Sequence, residues 1–429
     1  MKSLAICAAC VGVVAAIADG HVSEAAYSAS RSCYVSSMLS SYSSAIASQT
    51  ATTTGALQTD ILAPSIPHLP PGPSATAYPR DGLLHGAQPA PFTPSGGLGT
   101  NGSEPLYVPE TDFDFQSISL ALYQEYIELD LFHWVLEYFS PAEFEAAGIS
   151  PEEQYLIKYM GDQEIGHAEL MANILGPAAP KPCTYRYPFT TVEGFIEYSI
   201  KNTRYGESGV LGFLAHLNSR PSADLISQTI TVESRQQAIF RQFKGLFPMP
   251  FYFVPGVPQS WQWTLLAPDI VSCPANQTRL IWQNFPALRI SNNPDNTLTC
   301  GCDWPTVKPA ITHNMSTPLS APGRVVEFSW DLPGQPVGPN LSYVTTTQAG
   351  PPKFVAWVSQ LNVTYSPLTV LNGTSGTTIQ PNGTTLGGAP AINGTVFVAV
   401  TDTDLFVTPF NITLINPHVV AGPALYQSG

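Results

Sequence analysis

Between residues 113 and 244 apolar side chains recur with the three-then-four spacing of a single helix face, in four long blocks. The first block, 113–139, aligns Phe115, Ile118, Leu122, Glu125, Leu129, Phe132 and Leu136. The second, 150–176, aligns Leu156, Met160, Glu164, His167, Met171 and Ile174. The third, 190–218, aligns Ile196, Ile200, Thr203, Glu207, Val210, Leu214 and Leu217. The fourth, 222–244, aligns Ile226, Ile230, Glu233, Gln236 or Gln237, Phe240 and Phe243. Each stripe is interrupted near its middle by one glutamate, and in the second block a histidine follows three residues later.

Punctuation supports these blocks as helices. Ser140-Pro141-Ala142-Glu143 and Ser150-Pro151-Glu152-Glu153 are capping boxes with proline at the first helical position, so a short helix precedes the second long one. Gly176-Pro177 and Gly245 supply stops. Short connections between four long helices predict an antiparallel four-helix bundle. Past residue 250 the texture turns Pro- and aromatic-rich. From 325 it turns to short β-type runs: Val325–Trp330, Tyr343–Thr347, Phe354–Val363, Val396–Thr401 and Phe410–Ile415. Asn-Gly pairs at Asn372, Asn382 and Asn393 mark turns among them. The expected fold is therefore α+β and multidomain, with the bundle over 112–290 and a small β-sandwich-like domain over 291–429.

The N-terminus reads differently. Lys2 precedes an uncharged apolar run from Leu4 to Ala18 that ends in Ala16-Ile17-Ala18, so residues 1–18 are expected to be a cleaved secretory signal. The run is too short to span a bilayer, and no later segment is long and apolar enough to do so. Residues 19–111 hold a Ser/Ala run and nine prolines between Pro64 and Pro94, the composition of a disordered stalk or linker. Nine N-x-Ser/Thr sequons, seven of them after residue 300, agree with an extracellular or cell-wall glycoprotein. In that compartment Cys183, Cys273, Cys300 and Cys302 are expected to form two disulfides, with Cys33 left over.

A glutamate in an apolar stripe is costly unless it is paired or holds a metal. A single one is commonly explained by a small rotation of the helix, and a lone E-x-x-H occurs by chance in many helices. Four helices each placing an acid mid-stripe is a different matter. Carboxylates bridge hard divalent ions and share their charge, and imidazole adds a nitrogen ligand. The i, i+3 spacing of Glu164 and His167 lets both reach one ion. Glu128, three residues after Glu125, is read as solvated or as a support behind the ligands. His133 and His216 fall off the stripes, and Tyr123, Tyr126, Tyr159, Tyr198 and Tyr205 read as packing residues. The net charge of −14, with fourteen of 31 acidic residues between Glu110 and Glu169, excludes a nucleic-acid partner.

These residues carry a resemblance. Leu120–Leu131, Asp162–His167, Glu207–Leu214, Thr231–Gln236 and the tail His418–Pro423 are similar to the ferritin-like superfamily, and within it to a fungal secreted stress-response family. The similarity covers roughly the last three-quarters of the chain. It implies a di-iron or di-manganese carboxylate bundle with a stress association, but no particular reaction. By position it makes Glu125, Glu164, His167, Glu207 and Glu233 the metal ligands. Gln236 stands where that pattern has a second histidine. An amide oxygen is a neutral, weaker ligand, so the outcomes are loss of one ion, preference for manganese, or survival of the site as a hydrogen-bond network. The functional expectation is a secreted metalloprotein handling metal or oxidants. The alternative is a non-catalytic wall or matrix glycoprotein with a degenerate site, its partner a cell-wall polysaccharide.

Overall fold

The computed structural model describes residues 107–275, 277–294, 311, 316, 318–385 and 388–429. The expected signal, nearly all of the stalk, Cys33, Cys300, Cys302 and the sequons at Asn101, Asn276 and Asn314 lie outside them. The described chain is α+β. Its helices are α1 (Asp112–Tyr138), α2 (Pro141–Ala146), α3 (Pro151–Leu175), α4 (Val192–Leu214), α5 (Arg220–Phe243) and α6 (Gln259–Leu266). Both capping boxes form as the sequence predicts, with Ser140 paired to Glu143 and Ser150 to Glu153. Thr111, Thr191 and Ser219 cap α1, α4 and α5 through their hydroxyls.

Side-chain pairings fix the directions of the long helices. Asp114, near the start of α1, accepts the backbone N–H groups of Asn218 and Ser219 past the end of α4, at 2.8 and 3.0 Å. About four turns on, Glu128 meets Asn202 on the same pair of helices, so α1 and α4 are antiparallel. Contacts of Glu207 with Ser234 and of Arg204 with Gln237 set α5 antiparallel to α4. Contacts of Glu125 with His167, and of Gly161 with His133, do the same for α1 and α3.

The bundle does not end at its own surface. Leu120, Tyr123 and Ile127 of α1 form one core with Trp261 and Trp263 of α6 and with Phe397 and Val358 from strands farther along the chain. Gly212 of α4 lets this layer approach, because a Cβ there would stand 1.8 Å from the Val257 carbonyl oxygen. Val257 N–H, in turn, donates to the Ser208 carbonyl at 2.8 Å. Consequently α1 is buried on nearly all sides through its middle, as a helix with two apolar stripes must be.

The strands are β1 (Thr184–Tyr185), β2 (Ile270–Ser272), β3 (Leu288–Ile290), β4 (Val325–Trp330), β5 (Pro336–Val337), β6 (Tyr343–Val344), β7 (Phe354–Ser359), β8 (Asn362–Pro367), β9 (Thr369–Asn372), β10 (Ser375–Ile379), β11 (Thr395–Thr401) and β12 (Val419–Gln427). Two antiparallel four-stranded sheets, ordered β3-β4-β10-β9 and β12-β11-β7-β8, share a core that contains Phe328, Trp330, Trp357, Val398 and Tyr426. Three runs differ from expectation. Of Tyr343–Thr347 only Tyr343–Val344 is strand. Phe354–Val363 is not one strand: it turns at Gln360, whose φ of 53° reverses the chain into the β7–β8 hairpin. Phe410–Ile415 is not a strand, since Ile412–His418 forms a 3₁₀ helix. One disulfide joins Cys183 to Cys273, linking the β1–β2 ribbon across 90 residues.

Candidate metal centre

Three of the four expected glutamates converge. Glu125 from α1, Glu164 and His167 from α3, and Glu233 from α5 meet in the bundle core, all of them buried. Ligand atoms of Glu125, Glu164 and His167 lie within 4.8 Å of one another, and so do those of Glu125, Glu128 and Glu233. The two groups share Glu125. His167 Nδ1 stands 2.9 Å from Glu164 Oε2 and 3.2 Å from Glu125 Oε2.

Glu128 belongs to this cluster rather than to the solvated face that sequence allowed it. It is 0% exposed, and Asn202 Nδ2 donates to its Oε1 at 3.0 Å. The missing signal lay on α4: Asn202 puts an amide on a buried face, where it needs a polar partner across the helix pair.

Glu207 stands apart and enters neither group. Its Oε2 is 3.2 Å from Arg204 Nη1, one turn earlier on α4, and its Oε1 accepts from Ser234 Oγ at 2.6 Å. Arg204 is 1% exposed; it also donates to Gln237 Oε1 at 2.6 Å and lies over the Phe251 ring, 4.2 Å from its centroid. A buried guanidinium thus supplies the positive charge that Glu207 needs. Burial pushes the Glu207 carboxyl up, while Arg204 and Ser234 oppose it.

Gln236 faces the cluster with its donor end. Its Nε2 donates to Glu164 Oε1 at 2.5 Å, and more weakly to Gln163 Oε1 at 3.3 Å. Its Oε1 is buried without a hydrogen-bond partner among the described residues.

The electrostatics are those of acids crowded without enough cations. Burial, then repulsion from Glu164 and Glu128, drives the Glu125 carboxyl well above the ordinary range. Burial and Glu164 do the same to Glu128, and burial and Glu125 to Glu233. For His167, burial pushes down, but the hydrogen bond and charge of Glu164 outweigh it and leave the imidazole raised. Both oxygens of Glu125, both of Glu233 and Oε2 of Glu128 are buried with no hydrogen-bond donor among the described residues. Four carboxylates and an imidazole, with so many acceptor atoms unserved, fit divalent cations of the iron or manganese type.

The surface is indented beside His167. A cleft of about 600 Å³ between α3 and α5 has His167 in its wall, together with Leu170, Leu225, Thr229, Val232 and Tyr107.

Residues 113–246 match the ferritin-like domain family. The chain is also 52% identical over 350 residues to Protein rds1 of Schizosaccharomyces pombe, an alignment covering 80% of this chain and 87% of that protein. The chain belongs to the family of Protein rds1, and its helices build a ferritin-like domain.

Proposed function

We propose that the bundle core holds a pair of divalent iron or manganese ions, and that the protein handles oxidants or metal outside the cell. The observation that carries this reading is the convergence of Glu125, Glu128, Glu164, His167 and Glu233, with five carboxylate oxygens buried and unserved. Two overlapping ligand groups with Glu125 in common suit two ions sharing one carboxylate. When bound, such ions supply one-electron chemistry towards dioxygen or peroxide.

The chain's own residues do the rest. Glu164 orients the His167 ring through Nδ1, and Asn202 fixes Glu128. Gln236, which stands where a second histidine was expected, keeps its donor end on Glu164 and its free oxygen in the core. Protons held by the raised carboxyls of Glu125, Glu128 and Glu233 leave as cations enter, so binding tightens with pH. Glu207, one of the four mid-stripe glutamates, is assigned to Arg204 instead. Secretion is part of the same proposal. It is supported by the apolar N-terminal run, by the disulfide and by the exposed sequons Asn340, Asn362, Asn372 and Asn382.

The test is elemental analysis of purified protein after reconstitution with iron(II) or manganese(II) at neutral pH, beside Glu125→Gln. Bound metal in the wild type and its loss in the variant are expected; a wild type without metal refutes the reading.

A second reading, a structural wall or matrix glycoprotein bound to polysaccharide, is favoured by the β-rich part, which has exposed sequons and only seven charged residues after residue 304. Fractionation decides it, because protein found wholly in the medium argues against wall retention.

A further inference from the structure

Tyr198 and Tyr205, which sequence assigns to packing, belong to a series of side chains that runs from the carboxylate cluster to the surface. Asn202, which donates to Glu128, accepts through Oδ1 from the Tyr205 hydroxyl. The Tyr205 hydroxyl lies close to that of Tyr198, two turns earlier on α4. The Tyr198 ring lies 5.8 Å from Tyr187, Tyr187 5.1 Å from Trp134, and Trp134 4.5 Å from Tyr138, with the last two stacked at 20°. Tyr138 ends the series in solvent, 53% exposed.

Two features set this series apart from an ordinary aromatic core. Each interior tyrosine beyond the Asn202–Tyr205 bridge has its own base: Tyr198 donates to Asp269 Oδ2 at 2.7 Å and Tyr187 to Asp130 Oδ2 at 2.6 Å. Burial pushes the Asp269 carboxyl up to about 7, where it exchanges a proton at neutral pH. A phenol that loses an electron becomes strongly acidic, so it is oxidised readily only where a bonded base receives its proton. The series also crosses three separate chain segments, α1, the α3–α4 connection and α4, at contact distance throughout.

We propose that Tyr198, Tyr187, Trp134 and Tyr138 carry single electrons from a reductant at the surface to the buried centre, with Asn202 and Tyr205 as the hydrogen-bonded bridge to Glu128. This rests on the metal reading above. The oxidant is a peroxide reduced at the centre: one peroxide takes two electrons through this series and two protons from solvent water, and becomes two waters. For each electron, Tyr198 gives up an electron inward and its phenolic proton to Asp269. Tyr187 then reduces the Tyr198 radical and passes its own proton to Asp130, while Asp269 returns its proton to Tyr198. Trp134 reduces Tyr187, which regains the proton from Asp130. Tyr138 reduces Trp134 and releases a proton to water; an external one-electron donor of the ascorbate class, with a proton from water, restores it.

The experiment uses iron-loaded full-length protein, hydrogen peroxide and a nitrone spin trap, with no reductant present. Metal content is measured first, and trap adducts are mapped by peptide mass. The wild type is expected to carry an adduct on Tyr138 that metal-free protein lacks. Trp134→Phe and Tyr187→Phe, which keep a ring in place, are expected to retain metal and lose that adduct, whereas the off-path Tyr155→Phe keeps it. An undiminished Tyr138 adduct in both metal-loaded path variants, or none in metal-loaded wild type, overturns the proposal while leaving the metal reading intact. A wild type that retains no metal ends both.

Discussion

Arg204 Nη1 lies 3.2 Å from Glu207 Oε2, with both side chains buried one turn apart on α4. The pair explains why a glutamate with ligand-like spacing does not join the other four. Its charge is already met, and the guanidinium is held in place by Gln237 and Phe251. Removing one partner strands the other in a dry core. Glu207→Gln is therefore expected to lower stability by about 3–5 kcal/mol while leaving bound metal per chain unchanged. Denaturant titration and elemental analysis on one sample check both halves; loss of metal with little loss of stability would make Glu207 a ligand after all.

Asn202 is expected to matter to the metal without touching it. It holds Glu128 Oε1 at 3.0 Å, so Asn202→Leu frees that carboxylate to rotate. Outer partners of this kind contribute roughly 10–100-fold in metal affinity. Competition with a chelator of known affinity measures the change, and wild-type affinity in the variant would remove Glu128 from the site.

The crowded acids make the metal-free protein sensitive to pH. The carboxyls of Glu125, Glu128 and Glu233 hold their protons more tightly folded than unfolded, where the ordinary value is 4.5. The native state thus binds more protons, and stability falls as pH rises above 4.5 towards the raised folded values. Thermal melts of metal-free protein should show a midpoint that drops from acid to neutral pH. The drop should shrink in Glu233→Gln and be reversed by added manganese(II). A midpoint flat across that range would contradict the assignment of these acids as uncompensated.

The sequons divide by environment. Asn340, Asn362, Asn372 and Asn382 are exposed, whereas Asn393 is buried and its Nδ2 donates to the Pro250 carbonyl at 2.6 Å. If the chain passes through a glycosylating compartment, peptide mapping should find glycans among the first four and none on Asn393. A modified Asn393 would require that turn to fold differently.

Much of the fold was legible because local chemistry and burial agree. Helix bounds followed from Ser140 and Ser150 as caps and from Gly176 and Gly245 as stops, and the mid-stripe acids Glu125, Glu164 and Glu233 meet as the helical period implies. What was not legible depends on partners distant in sequence. Glu128 is an offset acid on α1 until Asn202 of α4 and Glu233 of α5 meet it inside the bundle. Arg204 looks like an ordinary helical cation until Gln237 and Phe251 enclose it. Strand β12 carries Gly422 and Pro423 and has no clean alternation, so only its pairing with β11 defines it.

The most direct measurement is anomalous X-ray scattering from crystals of manganese- or iron-loaded protein, collected at the metal's absorption edge. The account predicts one peak among Glu125, Glu164 and His167 and a second among Glu125, Glu128 and Glu233, with none at Glu207. Crystals shown by elemental analysis to hold metal, yet with no peak in contact with Glu125, would contradict it.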